Sequence, residues 1–354
     1  GNNMCQMQKT ASAASATKVY DMIVIGGGPA GYTAALYAAR AALSVLILEK
    51  LTPGGQMALT AQIDNYPGFD EGIDGFSLGE KMKNGARRFG AESKMTEVRA
   101  LDLTAELKEI QTSTQTYLAH TVVLASGAEA KELGLSGEKE LLGHGLSHCA
   151  VCDGMFFRGK TVAVVGGGNT AVTDALTLAR IAKKVILIHR RDTLRASEIY
   201  HDTLMETDNV TFLPDTIVTA LLADPPLSSA ADRAGTAAPL QAGAVLDAAA
   251  ASPAHPPRLS GIRVRNVKSG AEETLPLDGL FVSIGRKPVT ALYKDQLALD
   301  ASGYVIADET TATAIPGVYA VGDLRTKPLR QVITAAADGA VAAHMAEDYL
   351  TQKR

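Results

Sequence analysis

Cys149 and Cys152 are the residues best suited to chemistry in this chain. They stand in Ser147-His148-Cys149-Ala150-Val151-Cys152-Asp153-Gly154, two thiols separated by two residues. Such a pair closes a small ring; one thiolate attacks a partner disulfide and the other resolves the mixed disulfide. Asp153, beside the pair, is placed to carry a proton to or from a thiol. Two other readings fit the same residues. Zinc takes cysteine pairs, but a structural site normally has four ligands. Here there is one pair, and His144 and His148 are too near in sequence to form a spaced second one. Two uninvolved buried thiols are the remaining reading. The third cysteine, Cys5, lies in an Ala-, Ser- and Thr-rich stretch and reads as a bystander. So few cysteines argue against a stapled extracellular fold and for a reducing, cytoplasmic compartment.

A redox dithiol needs an electron source, and two glycine-rich turns supply candidates. Gly26-Gly27-Gly28-Pro29-Ala30-Gly31 follows an apolar strand, Val19–Ile25, and opens a helix over 29–42. In that context Gly26 makes the tight turn, Gly28 lets a pyrophosphate approach, and Gly31 lets helix and strand pack closely. The positive end of the helix, begun by Pro29 and Ala30, then faces the phosphates. Glu49 ends the next strand, 44–49, where a carboxylate accepts hydrogen bonds from a ribose diol. Gly166-Gly167-Gly168-Asn169-Thr170-Ala171 repeats the design between strand Thr161–Val165 and a helix over 169–183. Its second strand, 184–189, ends instead on His189, followed by Arg190, Arg191 and Arg195. Guanidinium groups hold a 2′-phosphate that a carboxylate would repel. The first turn therefore suits a nucleotide with a free ribose diol, and the second suits NADPH. The plainer readings are glycine turns without ligands and a solvated basic face.

The elements that must position these residues alternate between apolar strands and helical stretches, which predicts an α/β fold with parallel sheets built from βαβ units. At 354 residues the chain exceeds what one hydrophobic core usually serves. The duplicated βαβ pattern divides it accordingly. Residues 224–258 are dominated by Ala, Pro, Ser and Gly and read as a flexible insertion between strands 216–222 and 259–267. Residues 1–17 read as a loose tail without the apolar core of a secretory signal. No apolar run is long enough for a membrane span. A formal charge of −4 gives no electrostatic case for nucleic acid or an anionic membrane. Near the C-terminus a short strand ends in Gly322-Asp323, and Arg330-Gln331-Val332 opens a helix over 333–349 whose N-terminus is suited to facing a flavin. Pro53-Gly54-Gly55-Gln56 is a turn compatible with wrapping a cofactor or with a plain loop.

With these residues in place, the chain closely resembles the low-molecular-weight thioredoxin reductases from about 19 to 350. The markers are the two glycine turns, Gly54-Gly55-Gln56, Asn65-Tyr66-Pro67-Gly68, Cys149-Ala150-Val151-Cys152-Asp153-Gly154, His189-Arg190-Arg191 with Arg195-Ala196, and Gly322-Asp323 with Arg330-Gln331. The resemblance implies two Rossmann-like domains: a discontinuous FAD domain over 18–130 and 288–354, and an inserted NADPH domain over 131–287 that carries the redox disulfide. It also implies a domain rotation that presents nicotinamide and disulfide to the flavin in turn, a homodimer, and thioredoxin as the protein substrate. FAD contacts fall to Gly26, Gly28, Pro29, Ala30, Gly31, Glu49, Gly55, Gln56, Asn65, Gly127, Gly322, Asp323, Arg330, Gln331 and Val332. NADPH contacts fall to Gly166, Gly168, Asn169, Thr170, Ala171, His189, Arg190, Arg191, Arg195 and Gly285, and no metal is implied. Cys152 is the thiol assigned to the flavin, Cys149 the one assigned to thioredoxin, with Asp153 assisting. Ser126 stands where the family usually has Thr, Arg286 where it often has His, and the insertion is unusual. A reductase of another small dithiol carrier shares every motif, and a redox-sensing flavoprotein is the reading from a different class.

Overall fold

The computed structural model describes residues 18–227 and 255–353. The tail 1–17 and the centre of the 224–258 insertion lie outside the described residues. The first strand, β1 (Val19–Ile25), is apolar on both faces because it lies inside its sheet. Met22 and Val24 point to one core, Ile23 and Ile25 to the other. Helix α1 (Pro29–Arg40) follows the glycine turn, and β2 (Val45–Glu49) returns parallel to β1 with Met22 opposite Val45. Helix α2 (Gly75–Arg88) is capped by Asp74, which accepts from the Ser77 amide. Then come β3 (Glu92–Met95) and an antiparallel meander of β4 (Val98–Asp102), β5 (Lys108–Thr112) and β6 (Thr116–Leu124).

The next stretch begins with β7 (Ala128–Ala130), a one-turn α3 (Glu138–Leu141), β8 (Leu146–Ser147) and a one-turn α4 (Ala150–Asp153). A second glycine-turn motif follows: β9 (Thr161–Val165), α5 (Asn169–Ala179) and β10 (Lys184–Ile188). After it come α6 (Glu198–Met205), β11 (Val210–Leu213), β12 (Thr216–Asp224), β13 (Arg258–Asn266), β14 (Glu272–Pro276), β15 (Gly279–Val282) and β16 (Arg286–Pro288). The chain closes with β17 (Val318–Ala320) and the long α7 (Val332–Lys353).

The chain divides into two compact units. One comprises residues up to 59, 74–127 and 288 onward; the other comprises 60–73 and 128–287. The loop 60–73, read from the sequence with the first nucleotide domain, thus groups with the second unit, and an Ile63–Ile73 bridge closes it on itself. In the first unit the sheet runs β3-β2-β1-β6-β5-β4, and β17 pairs in parallel with the C-terminal part of β6. In the second unit the sheet is wholly parallel, β11-β10-β9-β15-β8, beside an antiparallel β12-β13-β14 meander. The strand carrying each glycine turn therefore lies between its βαβ partner and a strand from later in sequence. That is the topological switch point at which α/β sheets bind ligands.

Small residues set the packing of the first unit. Ala30, Ala34, Ala35 and Ala38 of α1 meet Ala335, Ala342, Ala343 and Ala346 of α7 in one core. A side chain at Gly339 would overlap the Ala30 carbonyl, so only glycine lets these helices approach so closely. Helix α5 stops at Ala179, short of the expected 183, because the Lys183 amide donates to the Lys160 carbonyl and draws the chain into β10. Helix α7 is longer than expected at both ends. The strands flanking the insertion pair antiparallel out to Asp224 opposite Arg258.

Candidate active site

The disulfide sits where β8 gives way to α4. Cys149 and Cys152 are joined, with their Cα atoms 5.3 Å apart. Cys149 caps α4, since its sulfur accepts from the Cys152 amide at 3.1 Å, and its carbonyl accepts from the Asp153 amide at 3.1 Å. Both cysteines are half-buried. Phe157 anchors the segment by packing edge-on against Phe281 of β15. Val151, Met155 and Phe156, next to the pair in sequence, stay 54%, 56% and 44% exposed. Asp153 accepts from the Ser147 hydroxyl at 2.5 Å. Burial pushes the Asp153 carboxyl up from its ordinary range, and the Ser147 bond opposes this in part. Ser147 carried no motif signal; only the fold shows that its hydroxyl faces Asp153.

The first glycine turn is held by Glu49. Its Oε2 accepts from the Gly27 amide at 2.5 Å and its Oε1 from the Leu51 amide at 3.1 Å. The carboxylate keeps further lone pairs for ribose hydroxyls. Gly26 has φ +107°, and a side chain there would overlap the Ala125 carbonyl. Gly28 caps α1 without a side-chain partner for the first amides, and the nearest atom to a Cβ built there is the Gly54 carbonyl oxygen at 3.8 Å. This open cradle at a helix N-terminus fits the pyrophosphate of a dinucleotide. The 53–56 turn is tied on through the Gly54 amide, which donates to the Gly27 carbonyl at 2.7 Å. Gly55 follows at φ +56°, with Gln56 exposed beyond it.

The second turn has the same backbone with different chemistry. Gly166 has φ +148°, Gly168 caps α5 with no side-chain partner, and Ala171 takes the third glycine's place. Asn169 accepts from the Ser197 amide at 2.8 Å, so its side chain ties α5 to the loop that bears Arg195; Thr170 is exposed beside it. The Arg195 and Ala196 amides both donate to the Gly167 carbonyl. His189 lies under Gly167 and is 5% exposed, yet its Nε2 has no hydrogen-bond partner. Burial first, then Arg195, Arg190 and Arg191, pushes its pKa down, so the ring is neutral near pH 7. The three arginines themselves are exposed. An orphaned ring nitrogen, uncapped helix amides and free guanidinium groups together fit a phosphorylated dinucleotide.

Other expected residues are placed as follows. Gly322, at φ +73°, turns beside Ala30 of α1, and its amide donates to Asp338 at 2.9 Å. Asp338 also accepts twice from Arg325 and once from Lys327, all three side chains being buried. Arg330 donates to the Asp323 and Arg325 carbonyls and lies 3.8 Å over the Tyr304 ring, so it braces the turn that carries Asp323. The Gln331 amide donates to Thr334, just ahead of Val332, where α7 begins. The Gly127 carbonyl accepts from Val289, and the Gly285 carbonyl from Lys131. Ser126 bonds the buried Tyr293 hydroxyl and the Val289 carbonyl. Asn65 is exposed on the 60–73 loop, at the rim of a hollow lined by Tyr66, Pro67 and Phe69. The Asp338 cluster and an Asp174–Ser283 pair at 2.6 Å were not foreseen, because their members lie far apart in sequence.

A disulfide in one α/β unit and two glycine turns of opposite charge character define an oxidoreductase that links nucleotides to a dithiol. Residues 20–339 match the family model of the pyridine nucleotide-disulphide oxidoreductases, and the chain belongs to that family. It is 38% identical over 339 residues to a thioredoxin reductase of Listeria monocytogenes, covering 96% of each chain. It is 40% identical over 336 residues to one of Mycolicibacterium smegmatis, covering 95% of this chain and 98% of the other. A crystal structure of thioredoxin reductase from Streptococcus pyogenes matches with a TM-score of 0.81 at 39% identity, over 94% of this chain and 99% of that one. No helix among the described residues is long and apolar enough to cross a membrane.

Proposed function

We propose that this chain is a thioredoxin-disulfide reductase that takes electrons from NADPH, passes them through FAD to Cys149–Cys152, and delivers them to thioredoxin. The observation that carries the reading is a joined, half-exposed Cys149–Cys152 pair on the same unit as the basic nucleotide turn. FAD, when bound, supplies acceptance of a hydride and its release as electrons to the dithiol. Glu49 and the α1 amides bind its nucleotide part, Gly322 and Asp323 frame the adjoining turn, and Gln56 adds a contact. Gly166, Gly168 and Asn169 receive the NADPH pyrophosphate, and Arg190, Arg191 and Arg195 hold its 2′-phosphate.

Reduction of Cys149–Cys152 breaks one S–S bond with two electrons and leaves one thiolate and one thiol, the proton coming from Asp153. Cys149 then attacks the substrate disulfide and forms a mixed disulfide, and Cys152 displaces the reduced substrate by re-forming the original bond. Val151, Met155 and Phe156 give the partner an apolar footing. A homodimer in the cytoplasm is part of the same reading. Cys152→Ser tests it: NADPH should still bleach the flavin band, while thioredoxin reduction falls to background. Turnover at the wild-type rate would defeat the relay. Equal rates with an unrelated dithiol carrier and with thioredoxin would reassign the partner.

A further inference from the structure

The Ser147 hydroxyl joins the Cys149 backbone to Asp153. Ser147 is 2% exposed and is fixed by its place on β8, opposite Phe281 of β15. Three polar atoms surround its Oγ. The Cys149 amide donates to it at 3.0 Å, Asp153 Oδ2 lies at 2.5 Å, and the Cys149 carbonyl oxygen lies at 3.4 Å. A hydroxyl has one proton and two lone pairs. With Asp153 ionised, the serine proton points to Oδ2, and one lone pair takes the Cys149 amide. With Asp153 protonated on Oδ2, that O–H donates to Oγ, and the serine proton turns to the Cys149 carbonyl. The second lone pair still takes the amide. Both arrangements use the same heavy-atom positions.

We propose that Ser147 is a positioning residue for the dithiol step, a hydroxyl rotor that follows the Asp153 proton and ties it to the Cys149 backbone. Two electrons from the reductive half-reaction break the Cys149–Cys152 bond. Asp153 gives up one proton, which leaves a thiol, a thiolate and a carboxylate, and the Ser147 proton swings from the Cys149 carbonyl to Oδ2. Re-oxidation by the substrate disulfide returns the thiol proton to Asp153 and reverses the swing, and the two substrate thiolates it releases take their protons from solvent. The rotor thus stabilises the carboxylate at the moment it forms and holds Cys149 in register in both states.

Burial and Ser147 are the two influences on Asp153. On the same loop, His148 turns its Nδ1 to the Val282 carbonyl at 3.3 Å. On α5, which packs against α4, Asp174 is bonded to Ser283, and Arg180 stands at the helix end.

The inference rests on Asp153 as the proton donor, and the experiment separates the two claims. The FAD-loaded wild type, Ser147→Ala, Ser147→Thr, Asp153→Asn and the Ser147→Ala/Asp153→Asn double variant are compared across pH. One readout is thioredoxin reduction; the other is bleaching of the flavin by NADPH. Losing a donor to the carboxylate favours its protonated form. Ser147→Ala should therefore move the basic limb of thioredoxin reduction up by about one pH unit. Ser147→Thr should return it toward the wild type, and flavin bleaching should keep its profile in both. An unmoved limb in Ser147→Ala, or a shift that persists in the double variant, overturns the rotor. A limb that Asp153→Asn leaves intact removes Asp153 as donor, and the rotor falls with it.

Discussion

The two units use one backbone plan with opposite electrostatics. In each, a glycine turn joins the first strand to a helix, the central glycine carbonyl accepts from the loop after the second strand, and the residue at or just past the end of that strand packs under the turn. In the first unit that residue is Glu49, with both carboxylate oxygens accepting backbone amides. In the second it is His189, neutral and with an orphan nitrogen, and three arginines stand close in sequence. A second contrast lies at the turn after a strand from later in the chain. In the first unit Gly322, following β17, is pinned by the charged hub at Asp338. In the second, Ser283, following β15, is pinned by Asp174. Burial pushes Asp338 up, but bonds from Arg325 and Lys327 prevail and hold it below the ordinary range. Burial pushes Asp174 up, and the weaker help of Ser283 and Arg286 does not reverse it. The fold thus requires an anchor at this place but leaves its charge open. One anchor is an ion cluster, and in the other burial outweighs the support its partners give the charge.

The sharpest test of that contrast removes the charge from the hub. Asp338→Asn leaves Arg325 and Lys327 buried without a counter-charge, which should destabilise the protein by about 3–5 kcal/mol in urea unfolding. A loss below about 1 kcal/mol would show that water or rearrangement serves the two cations. Replacing the hub with Arg325→Met, Lys327→Met and Asp338→Leu together should recover most of the loss, since no buried charge then remains unpaired. The sign with pH follows from the lowered Asp338 pKa. The hub contributes in full above the unfolded value of 3.8 and is lost as pH falls through the still lower folded value.

The next effect is on nucleotide choice. Changing Arg190, Arg191 and Arg195 together to Gln should raise KM for NADPH roughly tenfold to a hundredfold and leave KM for NADH within about twofold. The wild-type KM for NADPH should also climb with ionic strength, because the guanidinium groups are exposed and screened. Equal losses for both nucleotides would mean that the basic run is only a solvated face.

The parts of this design that lie close together in the chain were legible in the sequence. Gly26 and Gly166 have neighbours that fix their role, and Glu49 and His189 sit at readable strand ends. Legibility failed where a partner comes from another element. Nothing near Gly322 in sequence announces Asp338, sixteen residues along. Asn169 reads as a phosphate contact, yet its carbonyl oxygen is taken by the Ser197 amide, so it braces the loop as well. The β12-β13-β14 meander went partly unread because β14 is Glu-Glu-Thr-Leu-Pro, with little apolar alternation to mark it. Helix α5 ends before its sequence periodicity does, because the pattern persists into 180–183 while the Lys183–Lys160 bond that ends the helix is tertiary.

The smallest predicted effect is the most discriminating, because it tests whether the second anchor is uncharged. Asp174→Asn keeps the shape and the hydrogen bond to Ser283 and removes only the capacity to ionise. If burial holds Asp174 toward its neutral form, the change should cost less than about 1 kcal/mol at pH 7, against the several expected at Asp338. The sign with pH is also opposite. Between the unfolded value of 3.8 and the raised folded value, the folded protein holds more protons than the unfolded chain, so wild-type stability falls as pH rises through that window. Asp174→Asn abolishes the fall. The variant should therefore gain on the wild type as pH rises from 3.8 through the raised folded value and lose that gain on acidification. A variant that instead loses ground toward pH 8 would mean that Asp174 is ionised in the folded protein and paired with Arg286, which would make both anchors charged and erase the contrast between the two units.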